Sequence, residues 1–162
     1  MKKNIIIAIL TGLSLTSCDK DYLDVKPTEF VTPEQVGGVS EYDPSILDGF
    51  LGGVYSTMYS IEVGGTTGDD DFGQKGIDIY TDMLAGDMAL SRSGYGWYRT
   101  LTQLTETVDF TRNSNYIPWR YYYRIVFGAN NVIKAQGGND AEPETEGGRH
   151  ALGQAKALRA YG

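Results

Sequence analysis

The chain has 162 residues, of which 14 are basic and 21 acidic, giving a formal net charge of −7, and a single cysteine, Cys18. This balance repels phosphate backbones and anionic lipid surfaces, which excludes nucleic acid as a partner and electrostatic adhesion as a means of membrane attachment. One cysteine excludes an intramolecular disulfide, so packing must supply the stability; twelve tyrosines, five phenylalanines and two tryptophans offer the area, either for a core or for surfaces that stack on flat ligands.

Lys2 and Lys3 give the chain a positive start, an apolar run extends from Ile5 to Leu15, and Leu15, Thr16 and Ser17 lead into Cys18. That order is the order of an export signal, and the run is shorter than the roughly 20 apolar residues a spanning helix needs. Leu-Thr-Ser-Cys also resembles the lipobox of bacterial lipoproteins. Residues 1–17 are therefore read as a signal peptide and Cys18 as the lipidated first residue of the mature protein. The alternative is an ordinary secretory signal followed by an unpaired cysteine, which in an exported protein demands a role. Cleavage removes Lys2 and Lys3 and none of the 21 acidic residues, which moves the net charge to −9.

Residues 18–44 are polar and carry Pro27, Pro33 and Pro44, so they read as a lipidated tether followed by an extended, strand-like arm. Residues 45–162 read as a helical domain. Ser45 is placed as the N-cap of its first helix, in which Leu47, Phe50, Leu51, Val54, Tyr55 and Met58 recur at helical spacing. The pair Gly52–Gly53 inside that pattern points to close contact with another helix. Residues 64–76 read as a loop, and Ile77 to Leu90 as a helix with Ile77, Tyr80, Leu84 and Met88 on one side. Residues 91–99 are a second, aromatic loop, and 101–110 fit helix and extended chain equally well.

Pro118 is placed at the first position of the next helix, where proline is tolerated. Trp119, Tyr122, Tyr123, Val126, Phe127, Asn130 and Ile133 form its expected core face, with Asn130 as a satisfied buried amide and Gly137–Gly138 as the stop. After an acidic turn, a last helix is expected from about Arg149 through Ala151, Leu152, Ala155, Leu158 and Tyr161. These two helices make a hairpin of aromatic knobs and Ala/Leu holes, the unit of tetratricopeptide-type stacks.

Four stretches in this order resemble the N-terminal part of the SusD/RagB family of nutrient-uptake lipoproteins. They are Cys18 to Pro27 (CDKDYLDVKP), the end of the first helix (VYSTMY), Trp119 to Ile125 with Ala129 to Ile133, and Gly153 to Tyr161 (GQAKALRAY). The resemblance implies a mostly α fold of tetratricopeptide-like helical hairpins with an extended N-terminal arm and long loops. It implies a surface lipoprotein of the outer membrane, facing the cell exterior, that captures oligosaccharides for a TonB-dependent transporter without hydrolysing them. Members of the family are several times longer, so residues 45–162 are expected to be a domain incomplete at its C-terminus. A protein-interaction module docking on the transporter and a secreted glycoside hydrolase are the competing readings.

The residues themselves offer no catalytic set and no cofactor motif. The one histidine, His150, lies beside Arg149 near a helix start, and with one cysteine it leaves zinc without a ligand set. Asp69–Asp70–Asp71 lacks the closing glutamate of a calcium loop, since Tyr80 stands in that position, and reads as a solvated acidic loop. Gly94 and Gly96 lack the third glycine and the preceding strand of a dinucleotide motif. What remains is aromatic chemistry. Sugars stack their C–H faces on exposed rings and hydrogen-bond at the rim, so Tyr95, Trp97 and Tyr98, with Arg92 and Arg99 alongside, are the candidate ligand-binding residues. Trp97 filling a gap between helices is the competing reading.

Overall fold

The computed structural model describes residues 29–68, 70–91, 98–105 and 108–162. The chain divides into two units, residues 1–32 and 33–162, and the architecture below is that of the second. Residues 1–28, which include the expected signal peptide, Cys18 and part of the expected tether, lie outside the described residues. All regular structure among the described residues is helical, as the apolar periodicity predicts.

The expected extended arm is overturned at Pro33–Ser40, which forms the first helix, α1. Pro33 takes the first helical position, where its missing N–H costs nothing and its φ is preset, and Glu34 follows in the first turn, where a negative charge is favoured. Val36 and Ser40 are buried, and Gln136 donates to the Ser40 hydroxyl at 3.2 Å.

Helix α2 spans Ser45–Thr57. Ser45 is inside it and not its cap. Asp43 opens the helix instead, its Oδ1 accepting from the Ser45 N–H at 3.0 Å and the Ser45 hydroxyl at 2.6 Å. Those bonds, the side-chain one first, hold the Asp43 carboxyl below the usual aspartate range. Leu47, Leu51 and Val54 are buried as the pattern predicts, while Phe50 is exposed. Gly52 and Gly53 do not mark a helix contact, for a Cβ on either would meet nothing within 4 Å. The close approach comes from the facing helix, where a Cβ on Gly128 would lie 2.6 Å from Val54 Cγ2.

Helix α3 spans Gly73–Ala85, starting inside the stretch expected to be loop. It stops at Gly86, whose φ of +84° ends the helix before Met88, which is exposed. Helix α4 is one turn, Arg99–Thr102, with Leu101 buried.

Helix α5 runs Asn113–Ala135, so Pro118 sits within it and does not begin it. Proline removes one backbone bond, to the carbonyl of Ser114, close enough to the helix start for the rest of the helix to tolerate the loss. The buried face is Ile117, Tyr121, Ile125, Ala129, Val132 and Ile133. The expected face is therefore displaced around the helix. Trp119, Tyr123, Phe127 and Asn130 are exposed, and Tyr122 and Val126 are half-buried at its edge. Asn130 is no buried amide but accepts from Arg159 at 3.3 Å on the surface. Gly137 and Gly138, with φ of +94° and +105°, end the run as predicted.

Helix α6 spans Glu146–Tyr161, and the Thr145 hydroxyl caps it by accepting from the Gly148 N–H at 3.1 Å. Its Ala151, Leu152, Ala155 and Leu158 close over α5 as the most extensive helix pair of the unit. The two alanines are fully buried, as are Tyr121 and Ile125 of α5. Each large apolar side chain buried in this way contributes about 1.5–3 kcal/mol. A buried tyrosine hydroxyl needs a partner, and Tyr121 donates to Gln74 Oε1 of α3 at 2.7 Å, while Tyr161 of α6 donates to the same oxygen. Burial, then the neighbouring Tyr161 and Tyr122 hydroxyls, holds Tyr121 protonated far above the ordinary tyrosine range.

Candidate functional site

The loop before α3 is organised by one carboxylate. Asp71 is fully buried, its Oδ1 accepting from the Gly64 N–H at 2.7 Å and its Oδ2 from the Thr66 N–H at 2.9 Å and the Thr66 hydroxyl at 3.1 Å. The solvated acidic loop expected of residues 69–71 is thus corrected at Asp71. A buried carboxylate is tolerated where donors replace its water, as they do here. Its own backbone carbonyl accepts from the Glu62 N–H at 2.8 Å, closing the loop into a ring.

That ring places Asp70 at the edge of a cavity of about 190 Å³. α3 contributes Gly76, Ile77 and Tyr80, the α4 turn contributes Tyr98, Thr100 and Leu101, and the first turns of α5 contribute Asn113, Ser114, Ile117 and Pro118. Ile77, Leu101, Ile117 and Pro118 make part of the lining apolar, and Tyr80, Tyr98, Thr100 and Asn113 add aromatic and polar groups. Tyr98 sits in the left-handed region at φ +57°, an uncommon conformation for a bulky residue, and begins α4. Its hydroxyl donates to the Asp70 carbonyl at 3.4 Å. Burial first, and the Asp70 charge second, push the Tyr98 phenol above its ordinary range, so it stays a donor at neutral pH. The Ser114 hydroxyl is buried with no hydrogen-bond partner among the described residues.

Of the five ligand-binding residues read from the sequence, Tyr98 lines this cavity and Arg99 is exposed on α4, off its wall. Arg92, Tyr95 and Trp97 lie outside the described residues. Sequence reasoning missed Tyr80, Asp70, Asn113 and Ser114, which come from three separate segments. The only local signal was Pro118, whose ring marks the turn of α5 that faces the cavity.

A second concavity of about 580 Å³ lies at the other end of α5, between α1 and the turn into α6. Glu41, Glu142 and Glu144 line it and no aromatic side chain does, which suits it poorly to sugar stacking. His150 is exposed and lies 3.0 Å from the Gln154 amide through Nδ1. Among the described residues no cluster of three His, Cys, Asp or Glu is placed to hold a metal ion, and no helix is long and apolar enough to cross a membrane.

The unit is all helical, with α5 and α6 as its most extensive pair and the cavity lined from the Asp70 loop, α3, the α4 turn and the start of α5. The chain is 24% identical over 159 residues to a SusD-like protein of Formosa agariphila, a match covering 98% of this chain and 28% of that protein. No family model matches the chain, and no solved structure matches it significantly. The alignment runs nearly end to end and supports membership of the SusD-like family, the one its four sequence stretches resemble. The chain spans about 28% of the length of that relative.

Proposed function

We propose that the chain is the N-terminal part of a surface lipoprotein that binds glycans for uptake through a TonB-dependent transporter of the outer membrane, held there by lipid on Cys18. The reading is one of binding and not of catalysis. The observation that carries it is the cavity lined together by Tyr98, Tyr80, Asp70, Asn113 and Ser114 and by the aliphatic side chains of Ile77, Leu101 and Ile117. Sugars demand that mixture, because each ring has an apolar C–H face and a hydroxyl rim, and binding sites generally set a few directed polar groups on an apolar lining. Tyr98 supplies both halves, an aromatic face and a phenol hydroxyl. The aromatic segment 92–97 leads directly into Tyr98, so Tyr95, Trp97 and Arg92 are the residues proposed to extend the site, with Arg99 beside it.

The test is retention of the chain on immobilised oligosaccharides. Tyr98→Ala is expected to weaken retention about fivefold, the scale of one lost aromatic contact, with helicity by circular dichroism unchanged. Undiminished retention in that variant, or cleavage of the bound glycan, would overturn the reading. Incorporation of labelled palmitate that is abolished in Cys18→Ser tests the anchor.

A further inference from the structure

Helix α3 carries a buried glycine, Gly76, in the wall of the cavity. Within a helix, glycine is less favourable than every residue but proline, so its presence there asks for a cause. Backbone freedom is not the cause. Gly76 is not among the glycines at positive φ, and its N–H donates to the Phe72 carbonyl at 3.1 Å, as in a regular helix. Space is the cause: a Cβ on Gly76 would lie 2.6 Å from the Asp70 carbonyl oxygen, well inside contact distance.

The Asp70 carbonyl is not free to retreat from such a Cβ. It shares a planar peptide unit with the Asp71 N–H, which donates to the Gly68 carbonyl at 3.0 Å. The next carbonyl, that of Asp71, accepts from the Glu62 N–H, and the Asp71 side chain is held by Gly64 and Thr66. The Asp70 oxygen in turn accepts from the Tyr98 hydroxyl at 3.4 Å, a contact that bridges 28 positions of sequence. Tyr98 is thereby held at both ends. Asp70 holds the tip of its ring, and its carbonyl, at a backbone φ of +57°, accepts from the Thr102 N–H at 3.2 Å.

We propose that Gly76 is a positioning residue of the binding site. Having no side chain, it lets the Asp70 carbonyl lie against α3 where it receives the Tyr98 hydroxyl, and so sets where the Tyr98 ring stands in the cavity. The role rests on the reading of the cavity as the glycan site. A side chain at position 76 pushes the peptide between Asp70 and Asp71 off α3, releases the hydroxyl and leaves the ring without its anchor. Position 76 acts in this way through Tyr98, with no need to touch the ligand. The raised Tyr98 phenol, caused by burial and then by the Asp70 charge, reports the same arrangement.

Variants of the full chain on an array of immobilised xylan, mannan and β-glucan oligosaccharides test the role. Gly76→Ala is expected to weaken retention about fivefold, as far as Tyr98→Ala does, with helicity by circular dichroism intact. Gly53→Ala, the same change at a helical position with no neighbour within 4 Å, should keep the native value. Tyr98→Phe keeps the ring and removes only the hydroxyl, and should weaken retention about threefold. In carbon-13 tyrosine NMR the Tyr98 signal is assigned by its loss in Tyr98→Phe. Its titration midpoint should fall toward the ordinary tyrosine value in Gly76→Ala and stay raised in Gly53→Ala, which a merely structural role of the glycine would not produce in a folded chain. Native retention in Gly76→Ala, or an unmoved Tyr98 midpoint there, would overturn the role and leave the glycan reading standing. Should Gly76→Ala unfold, undiminished retention in Tyr98→Phe overturns the role instead. Failure of the native chain to bind any oligosaccharide of the array overturns the glycan reading, and the role with it.

Discussion

Replacing Asp71 by alanine should destabilise the fold far more than removal of an aspartate from a glycine-rich loop ordinarily does. The carboxylate accepts three bonds, from the Gly64 N–H, the Thr66 N–H and the Thr66 hydroxyl, and is shielded from water. Hydrogen bonds to a charged group are worth about 1.5–3 kcal/mol each, and each buried donor left without a partner costs about 1–3 kcal/mol. Partial relaxation of the loop offsets some of this loss, so about 3–5 kcal/mol is expected for Asp71→Ala. That is a large share of the 5–15 kcal/mol typical of a whole domain. Asp71→Asn keeps one acceptor oxygen but turns an amide N–H₂ toward a donor, and about 2–3 kcal/mol is expected. Thr66→Val removes one bond only and should cost about 1 kcal/mol. Urea unfolding followed by circular dichroism gives the three values, and hydrogen exchange at Gly64 and Thr66 reports whether the loop opens first. A loss below 1 kcal/mol for Asp71→Ala, or no difference between alanine and asparagine, would refute the assignment of the loop's order to this carboxylate.

Two further outcomes follow from the packing and the charges. Gly128→Val should lower stability by about 1–3 kcal/mol, because its side chain must enter space held by Val54; an unchanged thermal midpoint would show that α2 and α5 do not meet there. Asp43 has its folded-state pKa depressed by Ser45. The folded state therefore binds fewer protons than the unfolded chain, so the stabilising contribution is present above the ordinary aspartate value near 4 and disappears as pH falls through the lower folded value. Titration of the Asp43 carboxyl by NMR should give a midpoint below that of a free aspartate and shift part of the way back in Ser45→Ala, which leaves the backbone bond in place; an unshifted midpoint in the native chain counts against the cap.

The helices were legible in the sequence wherever apolar spacing was one-sided, as in α2, where Leu47, Leu51 and Val54 are buried as spaced. α5 was legible as a helix but not in its orientation. Two apolar stripes run along it, and the large aromatics of one outweigh the mixed Ile117, Tyr121, Ile125 and Ala129 stripe when hydrophobicity alone is counted. The deciding feature is size: Gly128 and Ala129 permit close packing, whereas Trp119 and Phe127 hold a neighbour away. Pro33 and Pro118 were ambiguous for a different reason, since proline suits extended chain, a helix start and, near that start, a helix turn. Asp71 could not be told from its neighbours in sequence, because it is the turn geometry that turns its carboxylate inward. The cavity was legible through Tyr98 and, at its α5 wall, Pro118, since its other walls come from segments that meet through folding and not through sequence.

Helix α5 also sets a distance. Its 23 residues measure roughly 34 Å at 1.5 Å per residue, with the Tyr98 cavity at its first turns and the acidic concavity at its last. The two spaces share no lining residue, so a substitution in the turn after Ala135 meets one of them and touches no wall of the other.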